Sequence, residues 1–199
     1  VHEFGHVLGL ADHYNNGSTA AYGYTNNVGN WDLMASGSYN DDQNCPPTYS
    51  AFERYSLGWT TPVLLSATID SLVALSPYED NGLSYRISVP GKSNEYFLIE
   101  NRQQKSWDEF LPGHGVLVWH IDENQSLWDK NQPNADQNHQ HVDIVEAGRT
   151  PSATGLATDP FPGAANVRNF SFTQWNSLTV FGFDWVDEDA GGLTSFILS

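Results

Sequence analysis

Basic residues are scarce: 8 Lys and Arg face 24 Asp and Glu, a formal net charge of -16. A surface of that sign repels nucleic-acid phosphates and anionic membranes, so a nucleic-acid partner is not expected. Long apolar runs are missing as well. No stretch approaches the roughly 20 residues that carry a helix across a bilayer, and membrane insertion is not expected. Cysteine is reduced to Cys45, which rules out a disulfide within the chain; lying before two prolines in a polar loop, it is a poor metal ligand. No internal repeat and no long block of like charge is visible. The 199 residues suffice for one sizeable domain or two small ones.

What is present is concentrated at the start, in His2-Glu3-Phe4-Gly5-His6-Val7-Leu8-Gly9-Leu10-Ala11-Asp12-His13. Residues four apart on a helix share a face, so His2 and His6 can aim imidazole nitrogens at one metal ion. Glu3 is poorly placed as a ligand but well placed to hydrogen-bond a metal-bound water, the position of a general base. Gly9 can adopt the left-handed conformation that ends a helix and turns the chain back, which brings Asp12 in as third ligand. His13 competes with Asp12 for that place. The spacing after Gly9 favours the aspartate, leaving His13 as a supporting or substrate-side group.

This HExxHxxGxxD pattern resembles the metzincin clan of zinc peptidases, in which such a helix is followed by a methionine-containing turn under the metal. The single methionine, Met34 in Asn30-Trp31-Asp32-Leu33-Met34-Ala35-Ser36-Gly37-Ser38-Tyr39, looks like the Met-turn of the immune-inhibitor-A type of secreted bacterial metallopeptidase. The resemblance extends to Pro46 to Trp59, read as a helix with a proline-rich lead-in and a glycine stop. It extends further to Glu95 to Arg102, Pro112 to Asp122 and Asp159 to Gly163. It implies Zn2+ on His2, His6 and Asp12, Glu3 as general base, and Tyr39 as a hydrogen-bond donor to the oxyanion of a scissile carbonyl. It also implies protein or peptide substrates and a secreted, extracellular enzyme. The clan's catalytic fold needs a twisted sheet and backing helix against Phe4, Val7, Leu8 and Leu10, so a longer precursor with upstream segments is expected. Two other readings share the zinc chemistry: a non-cleaving binding or adhesion module, and an amidase acting on a non-protein amide.

The expected fold class is α+β. Residues 1–60 would carry the C-terminal part of a metzincin-like catalytic domain, and residues 61–199 a β-rich, antiparallel sandwich-like domain. Strand signals fall at Ala67 to Leu75, Ser84 to Val89, Gly115 to Ile121, Val142 to Glu146, Leu178 to Phe181 and Gly192 to Leu198. Polar loops are expected from Asn15 to Asn30, Asp122 to Asn138 and Thr150 to Gly163. The acidic run Asp184, Asp187, Glu188, Asp189 reads as a solvated hairpin turn rather than a calcium loop. His139-Gln140-His141-Val142-Asp143 with His120 and Asp122 reads as the polar outer faces of a pair of strands, with a second metal site as the lesser alternative. Ca2+ on Asp143, Glu146 or Asp159 is a weaker expectation drawn from the acidic balance.

Overall fold

The computed structural model describes residues 1–17, 28–65, 71–150, 152, 154–171, 182–188, 192 and 194–198. Along these the helices are α1 (His2–Leu8), α2 (Ala51–Ser56), α3 (Tyr78–Asn81) and α4 (Gln125–Trp128). The strands are β1 (Val63–Leu64), β2 (Ser71–Leu75), β3 (Tyr85–Ser88), β4 (Glu95–Arg102), β5 (Gly115–Asp122), β6 (Val142–Ile144), β7 (Asn169–Ser171), β8 (Gly182–Glu188) and β9 (Thr194–Leu198). Helices and sheets are mixed in the α+β manner. One sheet runs β1-β3-β4-β5-β6 and is antiparallel except for the β1–β3 pair; the other runs β2-β9-β8-β7 and is antiparallel throughout.

Why β4 and β5 are nearly continuous apolar runs is clear from their two faces. Side chains alternate across a strand. Phe97, Ile99, Val116 and Val118 enter one core with Leu65, Leu75, Ile87 and Phe161. Tyr96, Leu98, Leu117, Trp119 and Ile121 enter another with Val28, Trp31, Ala35, Ala51 and Phe52 from the first 60 residues. The five-stranded sheet is thus buried on both sides, and its second face is the platform for the N-terminal segment. Each fully buried side chain of this size contributes about 1.5–3 kcal/mol.

A buried ionic cluster fastens α2 to that platform. Arg102 donates from Nε to Asp108 Oδ2 and from Nη2 to Asp108 Oδ1, both at 2.8 Å, and reaches Glu100 Oε1 at 3.3 Å. Glu100 in turn accepts from Trp119 Nε1 and from the Ala51 amide at the start of α2, while Asp108 accepts from the Thr48 amide. Flanking carboxylates hold the Arg102 guanidinium charged, with its pKa raised despite the desolvation that opposes it. Residue 50 begins α2 with a capping box: Ser50 Oγ accepts from the Glu53 amide and the Glu53 carboxyl accepts from the Ser50 amide.

The closing helix is shorter than the sequence suggests, Ala51–Ser56, because the proline pair and the capping serine fix its start and Gly58, at φ 69°, follows its end. Asp184, Asp187 and Glu188 belong to strand β8 rather than to a turn. The alternation Phe183-Asp184-Trp185, which is strand patterning, outweighs the acidic composition there. The expected strand at Leu178 to Phe181, Asp189, and residues 18–27 of the first polar loop lie outside the described residues. Beside α1, Val1, Phe4, Leu33, Tyr49, Trp59 and Trp107 line an apolar groove of about 430 Å³, and Phe4 and Val7 are exposed.

Candidate metal centre and its supports

Helix α1 ends at Gly9, whose φ of 106° lies in the region that only glycine enters without strain. Its amide bonds to the His6 carbonyl and the Leu10 amide to the Gly5 carbonyl, so the chain reverses within two residues. The returning segment carries Asp12 across the face presented by His2 and His6. Nε2 of each imidazole lies 3.2 Å from the same oxygen, Asp12 Oδ1. The opposite ring nitrogens are anchored on main-chain carbonyls: His2 Nδ1 on Leu33 and His6 Nδ1 on Leu10, each at 2.9 Å. A carbonyl can only accept, so both Nδ1 atoms carry hydrogen and both Nε2 lone pairs converge on Asp12. Two imidazoles and a carboxylate with ligand atoms mutually within 4.8 Å make an N,N,O donor set suited to a borderline divalent ion, and the residues fit zinc.

Met34 lies directly beneath α1. A Cβ on Gly5 would run into Met34 Sδ, so a larger residue there would have to displace the methionine side chain. The turn is tied to the segment carrying Asp12 by the His13 amide, which donates to the Met34 carbonyl at 2.9 Å. Met34's own amide is shared between Asp32 Oδ1 at 2.7 Å and Glu53 Oε1 at 3.2 Å. His13 joins Asp32 and Glu53 rather than His2 and His6. Its Nδ1 pairs with Asp32 Oδ2 at 3.0 Å and the ring is fully buried against Phe52, which places it with the supports and not on the substrate side. Burial, and next the charge of Asp32, push the Glu53 carboxyl well above the usual carboxylate range.

The remaining predicted residues converge on the same place. Tyr14 stacks on His2 at 6.3 Å, and its phenol is pushed up to about 12 by burial, then by the charge and hydrogen bond of Asp12, then by the charges of Glu3 and Tyr39. Glu3 and Tyr39, both exposed, therefore lie near enough to Tyr14 to act on it electrostatically. Sequence reasoning missed Tyr14, although an aromatic two residues after the presumed ligand was a usable signal.

It also missed the loop that follows α4. Asn131 donates from Nδ2 to Asp12 Oδ2 and accepts the Asp12 amide on Oδ1, both at 2.6 Å. Asn16 bonds to Asp12 Oδ2 at 3.3 Å and to the Asn131 carbonyl at 2.6 Å. Asn134, fully buried, donates to the His13 carbonyl and to the Val142 carbonyl, each at 2.7 Å. The segment read as a long polar loop thus contains α4 and two asparagines that grip the segment carrying Asp12 and His13.

The second constellation is partly assembled. Asp122, His139 and His141 come together, whereas His120 Nε2 turns to Glu95 Oε1 at 2.9 Å and leaves the group. Residues 139–141 precede β6 rather than lying in it. Asp143, Glu146 and Asp159 do not form a metal-capable group among the described residues. Asp159 is committed to Trp31 Nε1 at 3.0 Å and to the Leu156 amide.

No curated protein matches the chain. The family model of the immune inhibitor A peptidase M6 catalytic domain matches residues 1–60, the stretch that holds the three converging side chains, Met34 and the α2 capping box. Over those residues the chain is similar to the catalytic domain of the immune inhibitor A metallopeptidases.

Proposed function

We propose that the protein is a secreted zinc-dependent endopeptidase that cleaves peptide bonds in protein substrates. The observation that carries this reading is the pair of imidazole Nε2 atoms, each 3.2 Å from Asp12 Oδ1 with its Nδ1 held by a carbonyl. His2, His6 and Asp12 would hold the ion. Zinc, when bound, supplies Lewis acidity that activates water near neutral pH and polarises a carbonyl.

Glu3, beside His2 and exposed on α1, takes a proton from water as the scissile carbonyl is attacked and delivers it to the departing amine. Tyr39, exposed on the turn after Met34, donates its hydroxyl to the developing oxyanion. Asn131, Asn16 and the Leu33 and Leu10 carbonyls hold the ligands in orientation, which spares the site reorganisation during turnover. Acid weakens the site because protons compete with the ion for His2 and His6. Secretion is supported by the family match and the acidic surface; none of the described helices is long and apolar enough to cross a membrane.

The test is casein cleavage by the purified protein beside Glu3→Ala, with zinc content measured in both. Chelator-sensitive cleavage that disappears in Glu3→Ala while zinc stays bound is expected. Equal cleavage by both would remove Glu3 from its role, and zinc binding without cleavage by either would leave a non-cleaving module or a non-peptide amidase.

A further inference from the structure

A second set of two imidazoles and one carboxylate lies at the neck of the loop that reaches the metal centre. Asp122 ends β5, and His139 and His141 lead into β6. The Asp122 amide donates to the His141 carbonyl at 3.0 Å, which locks the two ends of the loop together. Above that bond, His139 Nε2 lies 2.8 Å and His141 Nδ1 3.5 Å from one oxygen, Asp122 Oδ2. His141 Nδ1 also lies 2.6 Å from the Asp122 main-chain oxygen. The two rings pack at 4.5 Å.

We propose that Asp122, His139 and His141 form a second site for a divalent transition ion, zinc in the first instance, which clasps the loop 123–138. The residue types are those of the first centre, with one difference: His141 Nδ1 donates to the Asp122 carbonyl, a bond that this imidazole exchanges for the ion. Two donors about 2.0–2.1 Å from a tetrahedral zinc stand roughly 3.4 Å apart; the nitrogen-to-carboxylate separations are 3.2 and 3.2 Å at the first centre and 2.8 and 3.5 Å here. Ligand atoms of all three residues fall within 4.8 Å of one another. The surroundings are also those of a site. Trp128 sets its ring edge-on to His141 at 6.2 Å and covers the inner side, while the His139 side chain is 57% exposed and leaves the outer side open to an ion and to waters completing its shell. A nitrogen-rich set of this kind discriminates against calcium and magnesium, which take oxygen.

The loop so clasped is the one that carries Asn131 and Asn134. An ion at its neck would hold the span closed and both asparagines against Asp12 and His13, making this ion structural and not a participant in the chemistry. The inference does not depend on the peptidase reading.

The experiment is a zinc titration of the chelator-stripped chain, with bound metal counted after removal of free ion, for the parent, Asp12→Ala, His139→Gln, and His139→Gln/His141→Gln. Two zinc ions are expected in the parent and one in Asp12→Ala. One is expected in the double variant, with His139→Gln, at an exposed position that leaves the fold intact, weakening the second ion by roughly tenfold or more. In Asp12→Ala, zinc should also slow protease cleavage within 123–138. A parent that binds a single ion, retained in both histidine variants, overturns the second site and leaves a hydrogen-bonded trio. A single ion lost only with the histidines overturns the first centre and keeps this one.

Discussion

Asn131 holds Asp12 by both ends of one amide, donating to its carboxylate and accepting its backbone N–H at 2.6 Å each. A residue far along the chain thus orients a group that the first 12 residues supply. Asn131 can do so because it sits at φ 57° with its amide bonded to the Trp128 carbonyl, a left-handed conformation that asparagine tolerates better than most residues.

Asn131→Gly keeps that backbone conformation and removes the clamp. We expect zinc affinity to fall by about 10- to 100-fold with little change in the unfolding temperature of the metal-free chain. Chelator competition monitored beside a thermal melt measures both. Equal affinity in the two proteins would show that Asp12 needs no such partner.

Gly9→Ala should loosen the centre from the other side. An L-residue at φ 106° costs about 1–2 kcal/mol, and relief of that strain would swing Leu10 to Asp12 away from the helix. The expected outcome is lower zinc affinity together with lower stability; a melt and a zinc titration identical to the parent's would refute it.

Arg102→Ala removes the cation between Glu100 and Asp108, both fully buried. Breaking a buried pair by deleting one partner costs about 3–5 kcal/mol. Denaturant unfolding should show a loss of that order, and because Glu100 and Asp108 anchor the approach to α2, proteolytic clipping near residues 46–51 should rise.

Asp143 supplies a pH signature. Burial, and then the charge of Glu146, push its carboxyl up to about 7 from 3.8. The folded state therefore holds a proton that the unfolded state releases, so stability declines as pH rises from 3.8 to about 7 and is level outside that window. Asp143→Asn should flatten this decline and raise the melting temperature at pH 8. An unchanged slope would mean the carboxyl ionises freely in the folded protein.

The candidate ligand set was legible because its spacing is local: His2, His6, Gly9 and Asp12 are related by helix geometry and one turn, and ligand atoms of His2, His6 and Asp12 lie close to one another in the structure. The strands around Tyr85, Val116, Val142 and Ile197 were legible from short apolar runs. The partners of Asp12 were not, since Asn131 and Asn16 look like loop residues until tertiary structure places them. The two-faced burial of β4 and β5 removes polar alternation, so their sequence alone could not say which residues meet the N-terminal segment. The histidine pair showed the opposite limit: polar strand faces were the favoured reading of His139, His141 and Asp122, because the β5–β6 pairing that brings the three together, and the turn of His120 to Glu95, are tertiary.

The sharing of the central sheet between two cores has a consequence for how the molecule comes apart. Trp119 and Leu98 are shielded by Trp31 and Phe52 on one side of the sheet, and their neighbours Val118 and Ile99 by Leu75 and Phe161 on the other. Stripping away the first 60 residues would uncover an aromatic floor, and removing the later strands would leave α2 with nothing to rest on. Denaturation should accordingly be a single cooperative event, with the amides of β4 and β5 the last to exchange, and the metal centre should be lost in the same step as the sheet that supports it.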